Sequence, residues 1–218
     1  MAIATRKKSA ASAAGKAPGA RAIRSQARRE AILEAALNEF SARGFAAARL
    51  DDVAKRAGVA KGTIYLHFRD KEALFQEIVR SVMGPFVGTL EGVFAADIPL
   101  RTIADQIVEL FVREVFETRR KDIIRLIMTE GPRFPKLAEF YYREVLSRVL
   151  GGAKARLRRA LDRGEISHEA LARFPQLIAA PGMLAIIWTG LFDRFEPLDA
   201  RELLRAHIDI LFRERKAA

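Results

Sequence analysis

The chain has 218 residues, half of them hydrophobic and 30% charged, and carries a formal net charge of +11. This length and hydrophobic content are enough to build a substantial core, which excludes a wholly disordered chain. Cysteine is absent, so disulfides and thiolate metal sites are excluded, and a cytoplasmic location is expected.

Most of the positive charge lies at the amino terminus. Residues 1–29 hold eight Lys or Arg and no acid, which leaves 30 basic against 27 acidic residues elsewhere. Residues 1–24 have few large apolar side chains, so we predict a disordered basic arm there. It lacks the continuous apolar segment of a secretory signal. Such an arm favours nucleic acid or an anionic surface as a partner, and an ordinary solvated tail is the open alternative.

The most apolar segment is PQLIAAPGMLAIIWTGLF, residues 175–192. Two prolines, two glycines, Gln176 and Thr189 interrupt it. A membrane-spanning helix needs about 20 predominantly apolar residues. We therefore interpret this segment as a helix buried in a core or a subunit interface, and expect no membrane partner.

Apolar residues at spacings of three and four predict helices along the whole chain. The first follows Ser25 and ends near Gly44, and the second (about 50–57) and third (about 61–68) are joined by a tight turn at Gly58. Asp70 is expected to cap a fourth helix, which Gly84-Pro85 interrupts. Further helices are expected near 86–95, 99–118, 120–130, 136–162, 167–192 and 199–214, with a kink or split at Pro181-Gly182.

The second and third helices have the spacing of a helix-turn-helix, whose second helix lies in a DNA major groove. Ile64 and Phe68 are expected to face inward. The other face of the third helix offers groups that reach phosphates and base edges, namely Lys61, Thr63, Tyr65 and His67, and Gly62 allows a close backbone approach. A small helical hairpin with solvated polar residues has the same pattern.

The stretch AALNEFSARGFAAARLDDVAKRAGVAKGTIYLHFRDKEALFQEIV carries the motif F-x-x-x-G-F followed by V-A-x-x-A-G-V-x-K-G-T-x-Y-x-H-F-x-x-K. Over roughly residues 27–82 it closely resembles the DNA-binding domain of the TetR/AcrR family of bacterial transcriptional regulators. The resemblance implies that DNA-contacting positions fall on Lys61, Gly62, Thr63, Tyr65, His67 and Lys71. Arg49 stands where the family often has Ser or Thr, which removes a usual cap and offers a phosphate-contacting charge. Ala60 replaces a frequent Ser.

The resemblance implies an all-α fold of about nine helices, with the helix-turn-helix domain at 25–83 and a ligand-binding and dimerisation domain at 84–218. The family is dimeric through its last two helices. The residues expected at that interface are Leu203, Leu204, His207, Ile208 and Leu211, although an ordinary core stripe has the same spacing. The segment EGPRFPKLAEFYYREVLSRV, residues 130–149, also resembles the AefR-type branch of the family.

The family resemblance also implies an inducer pocket between the middle helices. Its candidate lining residues are Phe111, Phe116, Met128, Phe134, Tyr141, Met183 and Trp188, and plain core is the alternative for each. Because Tyr141 and Tyr142 are adjacent, one of them is expected at the surface. The three histidines lack a second ligand at helical spacing, and no catalytic motif is present, so we expect no metal site, no cofactor and no enzymatic activity.

These features predict a ligand-responsive transcriptional regulator. As a homodimeric repressor it would bind a palindromic operator in double-stranded DNA, and a small apolar or amphipathic effector would release it. The alternative is an effector-free architectural or tethering protein that binds DNA with the same fold. A filled core would favour that alternative.

Overall fold

A computed structural model describes residues 19–212, with the side chains of residues 20–22 left out. Most of the predicted basic arm, residues 1–18, therefore lies outside the described residues, as do positions 213–214 of the last predicted helix. Residues 20–24, which we assigned to the disordered arm, instead form the first turns of a helix. That part of the predicted arm is corrected.

The fold between residues 19 and 212 is entirely helical, with no strand, which confirms the predicted all-α class. Its α-helices are α1 Ala20–Ala47, α2 Leu50–Ala57, α3 Lys61–His67, α4 Lys71–Ala95, α5 Leu100–Phe111, α6 Arg120–Glu130, α7 Pro135–Tyr141, α8 Ser147–Asp162, α9 Glu169–Arg173, α10 Gln176–Leu191 and α11 Ala200–Leu211. A π-helical turn at Val112–Phe116 extends α5, and another at Tyr142–Leu146 joins α7 to α8.

Helices α1–α4 form the amino-terminal unit around a shared apolar core. Ile32, Phe40, Val53 and Ile64 are at most 1% exposed, and they bring α1, α2 and α3 together. Gly58 joins α2 to α3 with a positive φ of 66°, a left-handed conformation that glycine adopts without strain. The predicted tight turn at this position is confirmed.

Helix α4 connects the amino-terminal unit to the rest of the molecule. Its first turn is capped by the Asp70 carboxylate, which accepts a hydrogen bond from the main-chain N–H of Ala73 at 2.7 Å, as predicted. By length and composition alone α4 could cross a membrane, and several of its apolar residues, such as Leu74, Phe75 and Ile78, are buried in the core.

The predicted interruption at Gly84-Pro85 is wrong, because α4 continues through both residues. A proline inside a helix costs about 3 kcal/mol. Met83, Phe86 and Val87 beside it are buried, and their packing offsets this cost. The position 83/84, which we assigned as a domain boundary, accordingly lies inside one continuous helix.

Helices α5–α8 pack against α4, and α9–α11 pack on α8, α6 and α5. At Pro181-Gly182, where a kink or split is predicted, the split is wrong, because α10 runs through both residues and the break in this region lies at Phe174 and Pro175 instead. Gly182 faces the Phe111 ring so closely that a Cβ atom there would lie 2.9 Å from it. The glycine therefore serves close packing of α10 against α5.

Candidate nucleic-acid interface and buried cavity

Helix α3 presents one buried and one exposed face. Ile64 is fully buried and Phe68, just after the helix, is 5% exposed, as predicted. Tyr65, Lys61, Gly62 and His67 are exposed, and Thr63 is partly exposed. The structure therefore places the predicted α3 residues on one solvent-facing surface.

Lys61 is paired with an acid of the preceding helix. Its Nζ lies 2.7 Å from a carboxylate oxygen of Asp51. This hydrogen bond lowers the pKa of Asp51 and raises the pKa of Lys61. Arg49 occupies the cap position of α2 in an extended conformation, and its side chain makes no capping hydrogen bond. Arg49 is exposed, so its charge lies beside the same pair.

Lys71, a predicted DNA contact, makes hydrogen bonds within the chain. Its ammonium donates hydrogen bonds to the carbonyl oxygens of Phe45 and Ala46, both at 2.8 Å, and lies 4.8 Å from the centre of the Phe45 ring. Lys71 therefore ties the start of α4 to the end of α1, and its contact with a phosphate stays a prediction.

Two cations beside α3 were not singled out from the sequence. Lys55 on α2 is exposed, and Arg69, directly after α3, has a side chain that is 81% exposed. Arg56, by contrast, binds the buried carboxylate of Glu39 at 3.3 Å. The sequence could not distinguish Lys55 and Arg69 from Arg56, because the difference depends on the position of Glu39, an acid of α1, in the fold.

A cavity of about 190 Å³ lies between α4, α5, the α7–α8 segment, α10 and α11. Its wall is almost entirely apolar. Of the residues predicted to line it, Phe111, Tyr141 and Met183 do so. The wall contributed by α4, including Met83 and Phe86, was not predicted, because these side chains have the same spacing as any core stripe.

The other four predicted lining residues lie elsewhere, which corrects their assignment. Phe116 packs against the Phe111 ring from outside the cavity wall, with ring centres 5.7 Å apart. Phe134 packs on Phe45 of the amino-terminal unit at 5.0 Å. Trp188 donates from Nε1 to the carbonyl oxygen of Glu196 at 2.8 Å, and Met128 is at the surface.

The adjacent tyrosines separate as expected. Tyr141 is 4% exposed and lines the cavity, whereas Tyr142 is 56% exposed. Burial raises the pKa of the Tyr141 phenol, so this group stays neutral at physiological pH.

Two polar residues of the cavity wall were missed in the sequence. Arg156 on α8 is 2% exposed, and His207 on α11 lies with its Nε2 3.1 Å from the carbonyl oxygen of Leu177. Sequence offers no signal for Arg156, because α8 carries several arginines at similar spacing. Among residues 19–212, His, Asp and Glu side chains form no group of three that could hold a metal ion.

The last two helices divide their apolar residues between the chain's own core and the surface. Leu204 and Ile208 are buried against Ala104, Val108 and Val112. His207 lines the cavity, and Leu203 and Leu211 are partly buried. The predicted interface is therefore corrected for Leu204 and Ile208, whose side chains already pack within this chain.

Helix α10 carries an exposed apolar row instead. Leu177, Ala180, Leu184, Ile187 and Leu191 are exposed, at alternating spacings of three and four residues. This is the spacing of a helix seam that packs against another helix. The opposite side of α10 is also apolar, with Ala185 and Ile186 fully buried, so sequence periodicity could not separate the two faces.

Known proteins match both parts of the chain. A family model for bacterial regulatory proteins of the tetR family matches residues 32–78, and one for the AefR-like transcriptional repressor C-terminal domain matches residues 99–206. The second match agrees with the resemblance of residues 130–149 to the AefR-type branch.

Relatives and solved structures agree with these matches. The chain is 35% identical to the regulator AcrR of Shigella flexneri over 47% of this chain and 48% of AcrR. It is 30% identical to the regulator UidR of Escherichia coli K12, over 65% of this chain and 70% of UidR. The structure resembles that of FadR from Bacillus subtilis in complex with stearoyl-CoA, with a TM-score of 0.68, 21% identity, and coverage of 84% of this chain and 97% of FadR.

The match spans only about half of AcrR, whereas it spans more than two thirds of UidR. The match to UidR and the two family models together establish the family. The models cover the helix-turn-helix and most of the helices after α4. The chain belongs to the TetR family of bacterial transcriptional regulators.

Proposed function

We propose that the chain is a ligand-responsive transcriptional repressor that binds operator DNA as a homodimer in the cytoplasm. The observation that carries the ligand response is the apolar cavity between α4 and the carboxyl-terminal helices. Cavities of this kind, with few polar groups, are typical of small-molecule sites. A filled core at this position would have favoured the effector-free alternative.

DNA reading is assigned to the exposed face of α3. Thr63 and Tyr65 project from a helix that Ile64 and Phe68 anchor to the core, which is the placement of a recognition helix in a major groove. Arg49, Lys55, Lys61 and Arg69 lie around this face, where Lys61 pairs with Asp51 and Arg69 with Asp70 in the chain by itself. They are suited to phosphate contacts, which position the helix without reading sequence.

The homodimer is assigned to α10. Its exposed row from Leu177 to Leu191 leaves apolar side chains in water, and a second copy related by a two-fold axis would bury the same row from both sides. The exposed side chains of Phe192, Phe195 and Ile210 lie beside this row in the sequence or on the adjoining helix and would extend the contact.

The cavity is connected to the DNA-binding unit along two routes. One is α4, which contributes Phe86 to the cavity wall and begins at Lys71, itself bound to the end of α1. The other is the α6–α7 region, where Phe134 packs on Phe45 and Arg119 binds Asn38 at 2.6 Å. A ligand that favours another arrangement of these helices would change the separation of the two α3 helices in the dimer.

An experiment separates this proposal from the effector-free alternative. DNA is first selected from a random-sequence pool with the purified full chain, and an inverted repeat with half-sites about one helical turn apart is expected. Apolar compounds are then screened for those that raise the melting temperature, as ligands of the folded state do. Compounds that stabilise the protein should lower its affinity for the selected DNA. Stabilisation without any change in DNA affinity would contradict the ligand response.

A further inference from the structure

Helix α6 connects the DNA-binding unit to α10, the helix through which we propose that two copies pair. Just before its first turn, Arg119 donates to the side-chain oxygen of Asn38 on α1 at 2.6 Å. At its last residue, a carboxylate oxygen of Glu130 lies 2.7 Å from where a Cβ atom at Gly44 would be. Helix α10 packs mainly on α11 and α6, and of these two α6 is the one that packs closely on α1. Helix α6 is therefore the direct connection from α10 to the DNA-binding unit.

Arg125, in the middle of α6, reaches the main chain of α10. Its Nε and Nη2 atoms donate to the carbonyl oxygen of Ile186 at 3.3 and 3.2 Å, and Nη2 also donates to the Thr189 hydroxyl oxygen at 3.2 Å. The guanidinium lies where Gly190 leaves room, since a Cβ atom there would be 3.1 Å from Nε. Arg125 therefore holds α10 by its backbone as well as by a side chain.

The charge of Arg125 is not used in an ion pair. Its neighbours Arg119 and Arg120 pair with Asp122 and Glu114. Within residues 19–212, Arg125 has no such carboxylate partner, and the acceptors of its guanidinium all belong to α10. Hydrogen bonds from a charged donor are stronger than neutral ones, and the planar guanidinium gives them a fixed direction. Arg125 is therefore suited to fixing the angle between α6 and α10.

Arg125 binds the side of α10 that faces away from the exposed apolar row. In a helix of 3.6 residues per turn, Thr189 is about 140° from Leu184 and about 160° from Leu191. Ile186 is buried, whereas Leu184 is exposed. The contact with α6 and the proposed dimer contact therefore use different faces of α10, and a change at Arg125 leaves the exposed row intact.

We propose that Arg125 is a positioning residue that sets the spacing of DNA half-sites accepted by the dimer. It holds α6 at one angle to α10, and α6 holds α1, so each α3 keeps one position relative to the two-fold axis. Without Arg125 the DNA-binding units can adopt a range of separations. The inference rests on the proposed function, because it requires a dimer that pairs through α10.

The test measures the affinity of the full chain for the selected DNA and for versions with one or two base pairs added between the half-sites. Each added base pair moves one half-site by about 3.4 Å and turns it by about 35°. The parent must break the Arg125 hydrogen bonds to adapt, so it should bind the altered DNA about tenfold more weakly or worse. Arg125→Met has no such bonds to break, so its affinities for the three spacings should agree within about threefold.

Three further variants make the result specific. Thr189→Val removes one acceptor at nearly equal volume and should reduce the spacing preference in part, even if Arg125→Met folds poorly. Arg125→Lys keeps a charged donor for the Ile186 carbonyl oxygen and should keep part of the preference. Arg113→Met removes an arginine whose side chain is 65% exposed and pairs with Glu114, the next residue in the sequence. This control should keep the full preference.

Sedimentation velocity and circular dichroism are measured on every variant, and four outcomes would overturn the inference. A folded, dimeric Arg125→Met with the spacing preference of the parent would show that other contacts set the spacing. Equal weakening at all spacings would mean a structural role alone, and dissociation of the dimer would mean that Arg125 supports the apolar contact itself. A parent that binds all spacings equally would contradict the dimeric DNA reading of the proposed function, and the inference with it.

Discussion

Helices α3 and α10 both leave a row of side chains exposed, but the chemistry of the two rows is opposite. The α3 row, with Thr63 and Tyr65, carries hydrogen-bonding groups beside cations, whereas the α10 row, with Leu184 and Leu191, is aliphatic. Water solvates the first row readily and the second poorly. The first therefore suits a polar, anionic partner such as DNA, and the second suits an identical apolar surface.

The largest expected effect distinguishes the buried face of α11 from the exposed row of α10. Ile208→Asp places a carboxylate among the apolar side chains of Ala104, Val108 and the cavity wall. We expect it to lower the free energy of unfolding by about 3–5 kcal/mol. Denaturant unfolding followed by circular dichroism measures this. A variant that is as stable as the parent but monomeric would mean that Ile208 lies at the dimer interface.

The next effect concerns association. Leu184→Glu brings two like charges together across the two-fold axis, and should weaken the dimer by at least about 3 kcal/mol, or roughly 100-fold in dissociation constant. The monomer should keep its fold, because Leu184 is 50% exposed in the single chain. Sedimentation velocity measures the change.

A matched control for this variant lies on the other row. Leu66→Glu makes the same substitution at a leucine of α3 that is 83% exposed. It should leave the dimer intact in the absence of DNA. If both variants dimerise like the parent, the α10 row is not the interface.

The third effect is on DNA affinity. Thr63→Ala should cost about 1–3 kcal/mol at the contacted base pair and change base preference there, while Tyr65→Ala should weaken binding to all sequences. Mobility-shift titration with the selected DNA and single-base variants measures both. Tyr142→Ala removes a tyrosine of similar exposure outside the DNA-binding unit and should have no effect. Unchanged affinity of Tyr65→Ala would contradict the placement of α3.

The smallest expected effect is a difference in stability between variants of two lysines, one that makes hydrogen bonds within the chain and one that is exposed. Lys71→Met removes the hydrogen bonds to Phe45 and Ala46 and should lower stability by about 1–3 kcal/mol. Lys55→Met, at an exposed position of α2, should change it by less than about 0.5 kcal/mol. Thermal unfolding compares them. A larger loss of stability in Lys55→Met than in Lys71→Met would contradict the structural role of Lys71.

The two rows also differ in how far the sequence reveals them. On α3 the alternation of apolar Ile64 with polar neighbours separates the buried side from the exposed one, and the motif assigns each position. On α10 nearly every position is apolar, so the exposed Leu184 and the buried Ile186 look alike in the sequence. Core, cavity wall and interface all select the same side chains, and only packing distinguishes them.

Other errors have the same physical origin. Pro85 and Pro181 predicted helix breaks from local conformational cost, but burial of their neighbours outweighs that cost. Phe134 was assigned to the pocket from its type, whereas its ring packs on Phe45. The basic arm remains a prediction, because residues 1–18 lie outside the described part of the chain.

In the proposed dimer, pairing through α10 sets the two α3 helices one turn of DNA apart. The chain has no cysteine, so Leu66→Cys introduces a single site for a spin label on the exposed part of α3. Pulsed electron spin resonance on the labelled protein, free of DNA because the label occupies the DNA-facing surface of α3, then measures the distance between the two copies. We expect a distribution centred at about 34–36 Å, broadened by the label. The absence of dipolar coupling, or a distance far from one helical turn, would contradict it.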